Sequence, residues 1–296
     1  MKKFYIIGTL ILALIGLRAI DPFPIESMRL KTFDYFISTL PNIGDENILL
    51  VDIDDDSLQQ LGQWPWPREV FCRFLGPGVT GFSVLFPEED RFGGDKNLAK
   101  CIKKNSVVVS AAASNADSAG RPPHVGTSSI GEDPKPFLFS YKGVLNNVDR
   151  IEEAAIGNGV TSTAPEVDNL VRRLPLVFNI NDTLYPSFGL EVLRAAAGAK
   201  SYTLKTNETG IEALRVKGLP IITTDPNARV WATWNTQFER ISAKDYAEKA
   251  PEYPIVLLGV TARGASTLVA TPDGLKAPHE IQASAISTLL QGKNIA

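Results

Sequence analysis

The chain has 296 residues, of which 44% are apolar and 21% charged, and its formal charge is −3. That length supports one large domain or two ordinary ones with a substantial core, and the composition excludes a disordered chain. With no basic excess to meet phosphate, nucleic acid is not expected as a partner.

The N-terminal "MKKFYIIGTLILALIGLRAI" places two lysines before an apolar run from Phe4 to Leu17, which Arg18 closes. The run is nearer the roughly 7–15 residues of a signal-peptide core than the roughly 20 of a spanning helix. Arg18 between Leu17 and Ala19 disrupts the small-residue pattern that cleavage needs, so residues 1–20 read as an uncleaved signal anchor; a cleaved signal peptide is the alternative. Lys2 and Lys3 would stay on the cytoplasmic side, leaving residues 21–296 as an extracytoplasmic domain. Next comes a proline-marked helix with Met28, Leu30, Phe33, Phe36, Ile37 and Leu40 on its apolar face.

"NILLVDID", "VTGFSVLF", "SVVVSAAA" and "YPIVLLGV" are short, nearly continuous apolar runs, as expected of strands covered on both faces. The segments "PREVFCRFL" and "DKNLAKCIKKN" between the first three read as helices, the second with Leu98, Cys101 and Ile102 on one side. Strand, helix, strand, helix, strand is the order of parallel crossovers. From Ala116 to Asp149 the chain turns rich in Ser, Gly, Pro and Asp, an irregular insertion. Farther on, "VRRLPLVFNI" and "YTLKT" read as strands, "YPSFGLEVLRAAAG" as a helix and "GIEALRVKGLPIITT" as a hairpin. A last helix runs from Pro278 to Gly292, with Ile281, Ala285, Thr288 and Leu289 facing inward and Ile286 and Leu290 beside them. The expected class is α/β: a mostly parallel sheet with helices on both faces, a long irregular insertion and a more antiparallel later part.

Asp52 and Asp54 lie two apart at the end of a strand, a spacing at which both can reach one metal, as in phosphatases of the haloacid-dehalogenase type. The further acidic pair of such an enzyme is missing, since "PIVLLGVTARG" offers Arg263 there. Asp55, Asp56 or Ser57 can cap a helix starting near Leu58. Asp52 and Asp54, partly buried, then need partners, and Arg68 or Arg263 is the expected one. Trp64 and Trp66 alternate with prolines, which fixes their projection either as a lid on the core or as a stacking surface for a ligand. Glu89 and Asp90 of "PEED" and Arg263 of "GVTARG" follow strands, so with Asp54 they would surround a pocket at the strand ends. His124 and His279 are too far apart in sequence to suggest a triad or zinc site, and no cofactor motif is evident. Cys72 and Cys101 are compatible with one disulfide or with two small buried side chains.

Together "MRLKTFDYF", "VDIDDDSLQQLGQWPWPRE", "VLFPEEDRFGGDKNLA", "PSFGLEVLRAAAG", "VLLGVTARG" and "TPDGLKAPHEIQASAISTLLQG" resemble the second type of CHASE domain, over Met28 to Gly292. The resemblance implies the extracellular sensory module of a bacterial receptor, without catalysis of its own, lying between one N-terminal membrane helix and further ones that lead to a cyclase or kinase output. None of those outputs occurs up to Ala296. Two positions depart from the family's pattern. Ser83 stands where an acid is common, and Gln282 stands where a histidine is common, so no role of that histidine carries over. The expectation is thus a membrane-held sensor for a small-molecule or protein signal, able to act as a homodimer, with Asp52, Asp54, Trp64, Trp66, Arg68, Glu89, Asp90 and Arg263 as candidate ligand residues. The alternatives are a metal-dependent phosphohydrolase using Asp52 and Asp54, and an envelope interaction module.

Overall fold

The structure is a computed structural model that describes residues 2–118, 120–246 and 253–292. In chain order the elements are α1 (Lys2–Ile20), α2 (Phe23–Ser38), β1 (Ile43–Ile53), α3 (Asp55–Leu61), a 3₁₀ helix (Arg68–Phe74), β2 (Val79–Phe82), α4 (Asp95–Ile102) and β3 (Ser106–Ser114). Then follow β4 (Thr127–Gly131), β5 (Ser140–Tyr141), β6 (Gly143–Leu145), α5 (Asp149–Glu152), β7 (Gly157–Val160), β8 (Arg173–Pro175), β9 (Val177–Ile180), β10 (Thr183–Pro186) and α6 (Phe188–Ala196). The last part holds β11 (Tyr202–Asn207), β12 (Gly210–Val216), β13 (Ile222–Thr223), β14 (Arg229–Trp231), β15 (Thr236–Ser242), β16 (Ile255–Val260), β17 (Val269–Thr271), β18 (Gly274–Lys276) and α7 (Pro278–Gln291).

The main sheet runs β15-β1-β16-β2-β3, with β7 parallel and β6 antiparallel to β3. Its other pairings are parallel. The apolar run of β1 explains its central place, because Ile48 and Leu50 enter one core layer and Leu49, Val51 and Ile53 the other. The first layer lies under α6 and α7, and the second under α3, α4 and the 3₁₀ helix. Helices on both faces of a mostly parallel sheet are what the sequence predicts, and the later part is more antiparallel, as in the β11–β12–β13 and β8–β14 pairs.

Several expectations change. The insertion is not structureless: β4 joins β11 as an edge strand, and β5 and β6 join other sheets. β14, β15 and the β17–β18 hairpin are additional to the sequence reading. "PREVFCRFL" forms a 3₁₀ helix rather than an α-helix. The cap of α3 is Asp54, one residue before the expected trio, and it accepts from the Ser57 backbone N–H at 2.8 Å. The apolar face of α2 divides, since Leu30 is buried while Met28 and Phe36 are exposed. α7 begins at Pro278 and ends on left-handed Gly292 as expected, but it is buried almost all round from Ile281 to Leu289.

Cys72 and Cys101 form a disulfide between the 3₁₀ helix and α4, with Cα atoms 5.7 Å apart. Among the described residues no single helix is long and apolar enough to cross a membrane; α1 and α2 meet that measure only as a pair, bent by 81°. The bend falls at Asp21–Pro22, where Asp21 takes a positive φ of 42° and its carboxylate receives Arg29 at 2.7 Å and Arg18 at 3.5 Å.

Candidate functional site

At the end of β1, Asp52 has neither of its expected partners. Arg240 of β15 grips both of its oxygens, with Nε 2.9 Å from Oδ2 and a terminal nitrogen 3.1 Å from Oδ1, and His279 Nε2 lies 2.8 Å from the same Oδ1. Burial pushes the Asp52 carboxyl up, but the hydrogen bonds and charge of His279 and Arg240 outweigh this and hold it below the ordinary value. An ionised carboxylate can only accept, so His279 Nε2 is the donor in this hydrogen bond. His279 is fully buried in the first turn of α7, and its Nδ1 has no hydrogen-bond partner among the described residues. The ring fits because position 259 is glycine: a Cβ there would lie 2.1 Å from His279 Nδ1.

The network continues along α7. Arg240 also meets Glu280 at 3.1 Å, and Lys276 bridges Glu280 and Asp273, each at 2.9 Å. Burial raises the Glu280 carboxyl, but Lys276 and Arg240 more than offset it and keep the group low. The strand end and the head of the last helix are therefore joined by alternating charges, beside a polar trough of about 430 Å³.

The other predicted residues go elsewhere. Asp54 is spent on structure, accepting from the Ser57 backbone and hydroxyl (2.8 and 2.6 Å) and from the Ser242 hydroxyl (2.9 Å). Arg263 is 96% exposed and reaches Asp55 at 3.6 Å. Arg68 pairs with Asp95 at 3.3 Å, donates to the Glu88 carbonyl and lies over the Phe86 ring. Asp90 accepts from the backbone N–H groups of Arg68, Phe92 and Gly94, and burial, which opposes ionisation, is outweighed by them so that its carboxyl stays low. Glu89 and Asp90 border a second polar trough with Asp95, Asn147 and Arg150. Trp66 is buried in the aromatic cluster with Phe71 and Phe74, its ring N–H donating to the Gly62 carbonyl, and Trp64 covers it edge-on. Among the described residues no recorded hydrogen bond or ion pair links the Asp52 group to the Arg68 group. The eight predicted residues are thus divided over separate places.

A third assembly was not foreseen. Arg172, fully buried, holds Asp34 of α2 through Nε and a terminal nitrogen (2.8 and 2.7 Å) and Asp168 through both terminal nitrogens (2.7 and 2.8 Å). Phe33 of α2 packs on Trp231 with ring centroids 4.5 Å apart. Next to it, Trp234 sits in a cluster with Ile281 and Ala285 of α7, and the Thr233 N–H donates to Thr288 of α7 at 2.8 Å. The segment from Trp231 to Asn235 therefore seats α2 on one side and α7 on the other. Arg172 and Asp34 carry no sequence signal of this role, being 138 positions apart.

The model of the CHASE2 domain matches residues 9–296. No curated protein and no solved structure matches the chain significantly. With essentially its whole length covered, the chain belongs to the CHASE2 family of extracellular sensory domains found in signalling receptors.

Proposed function

We propose that this chain is the extracytoplasmic sensory region of a bacterial transmembrane receptor, held to the inner membrane through α1 and relaying a signal through membrane helices to a cytoplasmic cyclase or kinase output. The sensory domain itself, residues 21–296, performs no catalysis. The observation that carries the relay is the shared seat of α2 and α7 on Trp231–Asn235. Helices from the two ends of the domain rest on one short segment, so a ligand that repacks this segment changes both. The Cys72–Cys101 bond supports an oxidising compartment, and the apolar surface of α1 supports anchoring. The phosphohydrolase reading loses support, because Asp54 is a helix cap and Asp52 is paired with arginine and histidine.

The test is a distance measurement between spin labels at Lys31 on α2 and Gln291 on α7, in the full chain in lipid nanodiscs. Asp34→Asn, which weakens the α2 side of the seat, should shift or broaden the distribution. An identical distribution in the variant would refute coupling through this segment.

A further inference from the structure

Between α2 and the Trp231–Asn235 segment lies a cavity of about 170 Å³. Phe33, Ile37 and Leu40 line it from the α2 side, and Trp231 and Trp234 from the other. Asp34 and Arg172 are its charged members, and they satisfy each other. A chamber of this kind is suited to a hydrocarbon group: apolar cavities of about 150 Å³ accommodate benzene.

Ile37, Trp234 and Asn235 also line a smaller hollow of about 80 Å³, which shares Asn42, Trp234, Asn235 and Asp273 with the polar trough beside α7. The trough is bordered by two cations, Arg240 and Lys276, and two anions, Asp273 and Glu280. A lining with both signs in equal number suits a head group that itself carries both.

We infer that these adjoining hollows together form one ligand site for a small zwitterion with an aromatic side chain, the aromatic amino acid class. The ring occupies the chamber, and the ammonium and carboxylate lie in the trough against the Asp273/Glu280 and Lys276/Arg240 groups. This rests on the sensory reading above and adds to it the place and the chemistry of the ligand. Because the ring would touch α2 on one wall and the Trp231–Asn235 segment on the other, its affinity depends on how α2 is seated, which is the differential contact that a signal requires.

The experiment is calorimetric titration of the full chain in nanodiscs with L-phenylalanine, followed in parallel by tryptophan emission, since Trp231 and Trp234 border the chamber. Saturable binding is expected, at least tenfold weaker in Ile37→Phe, which fills the chamber, and absent for L-alanine, which has no ring. Leu40→Phe serves as the second filling variant, and thermal unfolding establishes that the variant used is folded. Absence of saturable L-phenylalanine binding, or binding unchanged in a folded filling variant, overturns the site. Phenylacetate or phenethylamine binding as tightly as L-phenylalanine overturns the zwitterion assignment. Binding that leaves the Lys31–Gln291 distance unchanged keeps the site and removes the relay. A distance that responds to other solutes without binding here keeps the sensory reading and removes the site.

Discussion

Asp34 and Arg172 are joined by two hydrogen bonds of 2.8 and 2.7 Å across 138 positions of sequence, and through them α2 is tied to the body of the domain. Arg172 is fully buried, so its charge depends on Asp34 and Asp168 together. Burial acts to lower the Arg172 pKa, and its two carboxylates reverse this and raise it. Removing one partner from a buried pair leaves a charge poorly compensated, at a cost of about 3 kcal/mol. Asp34→Ala should destabilise the domain by that order in denaturant unfolding. A loss below about 1 kcal/mol would mean that Asp168 suffices and that α2 is held by its apolar contacts alone.

Gly259 and His279 make a second relationship of this kind, governed by space rather than charge. With the added Cβ of Gly259→Ala 2.1 Å from the ring nitrogen, either β16 or the first turn of α7 has to move. Overpacking of this severity costs about 3 kcal/mol. The double variant Gly259→Ala/His279→Ala should recover part of that loss, because the ring that clashes is gone. Strictly additive losses in a double-mutant cycle would show that the glycine serves the backbone of β16 rather than the ring.

The frame of the fold was legible where local pattern and burial agree. The β1 run is apolar at consecutive positions because both faces are covered, and α7 is bounded by Pro278 and Gly292, residues suited to a helix start and end. β15 escaped notice because "TQFERIS" is an edge strand with one buried residue, and its order comes from pairing with β1, far away in sequence. That omission hid Arg240, and with it the true partner of Asp52. Arg68 and Arg263 follow the expected loops, yet which carboxylate a side chain meets depends on its direction, and Arg68 turns to Asp95 while Arg263 turns outward. His279 was set aside because His124, the other histidine, lies far from it in sequence, whereas its partner is a carboxylate 227 positions distant.

The Asp52 pair predicts a pH dependence of definite sign. Its pKa in the folded state lies below the ordinary carboxyl value that the unfolded chain keeps, so the unfolded chain binds the proton more readily. The resulting stability is present above the unfolded value and is lost as pH falls through the lower, folded one. Asp52→Asn should therefore cost about 2 kcal/mol at neutral pH, the worth of a hydrogen bond to a charged group. In acid, once the wild-type carboxyl is protonated, the gap between the two proteins should narrow. Urea unfolding at pH 7 and near pH 3 checks it, and a gap of constant size would show that the ionised form of Asp52 is not what the site stabilises.

The Cys72–Cys101 bond closes a loop with a sequence separation of 29 between the 3₁₀ helix and α4, and both elements cover the face of the sheet that holds Trp66. A crosslink over that length restricts the unfolded chain by about 3.5 kcal/mol in the loop-entropy model. The paired variant Cys72→Ala/Cys101→Ala should unfold at lower denaturant by roughly that amount. Wild type treated with reductant should approach the variant, while reductant should leave the variant unchanged. If oxidised and reduced wild type unfold at the same midpoint, the bond is either unformed in solution or without effect on this face, and packing around Trp66 and Phe71 alone secures it.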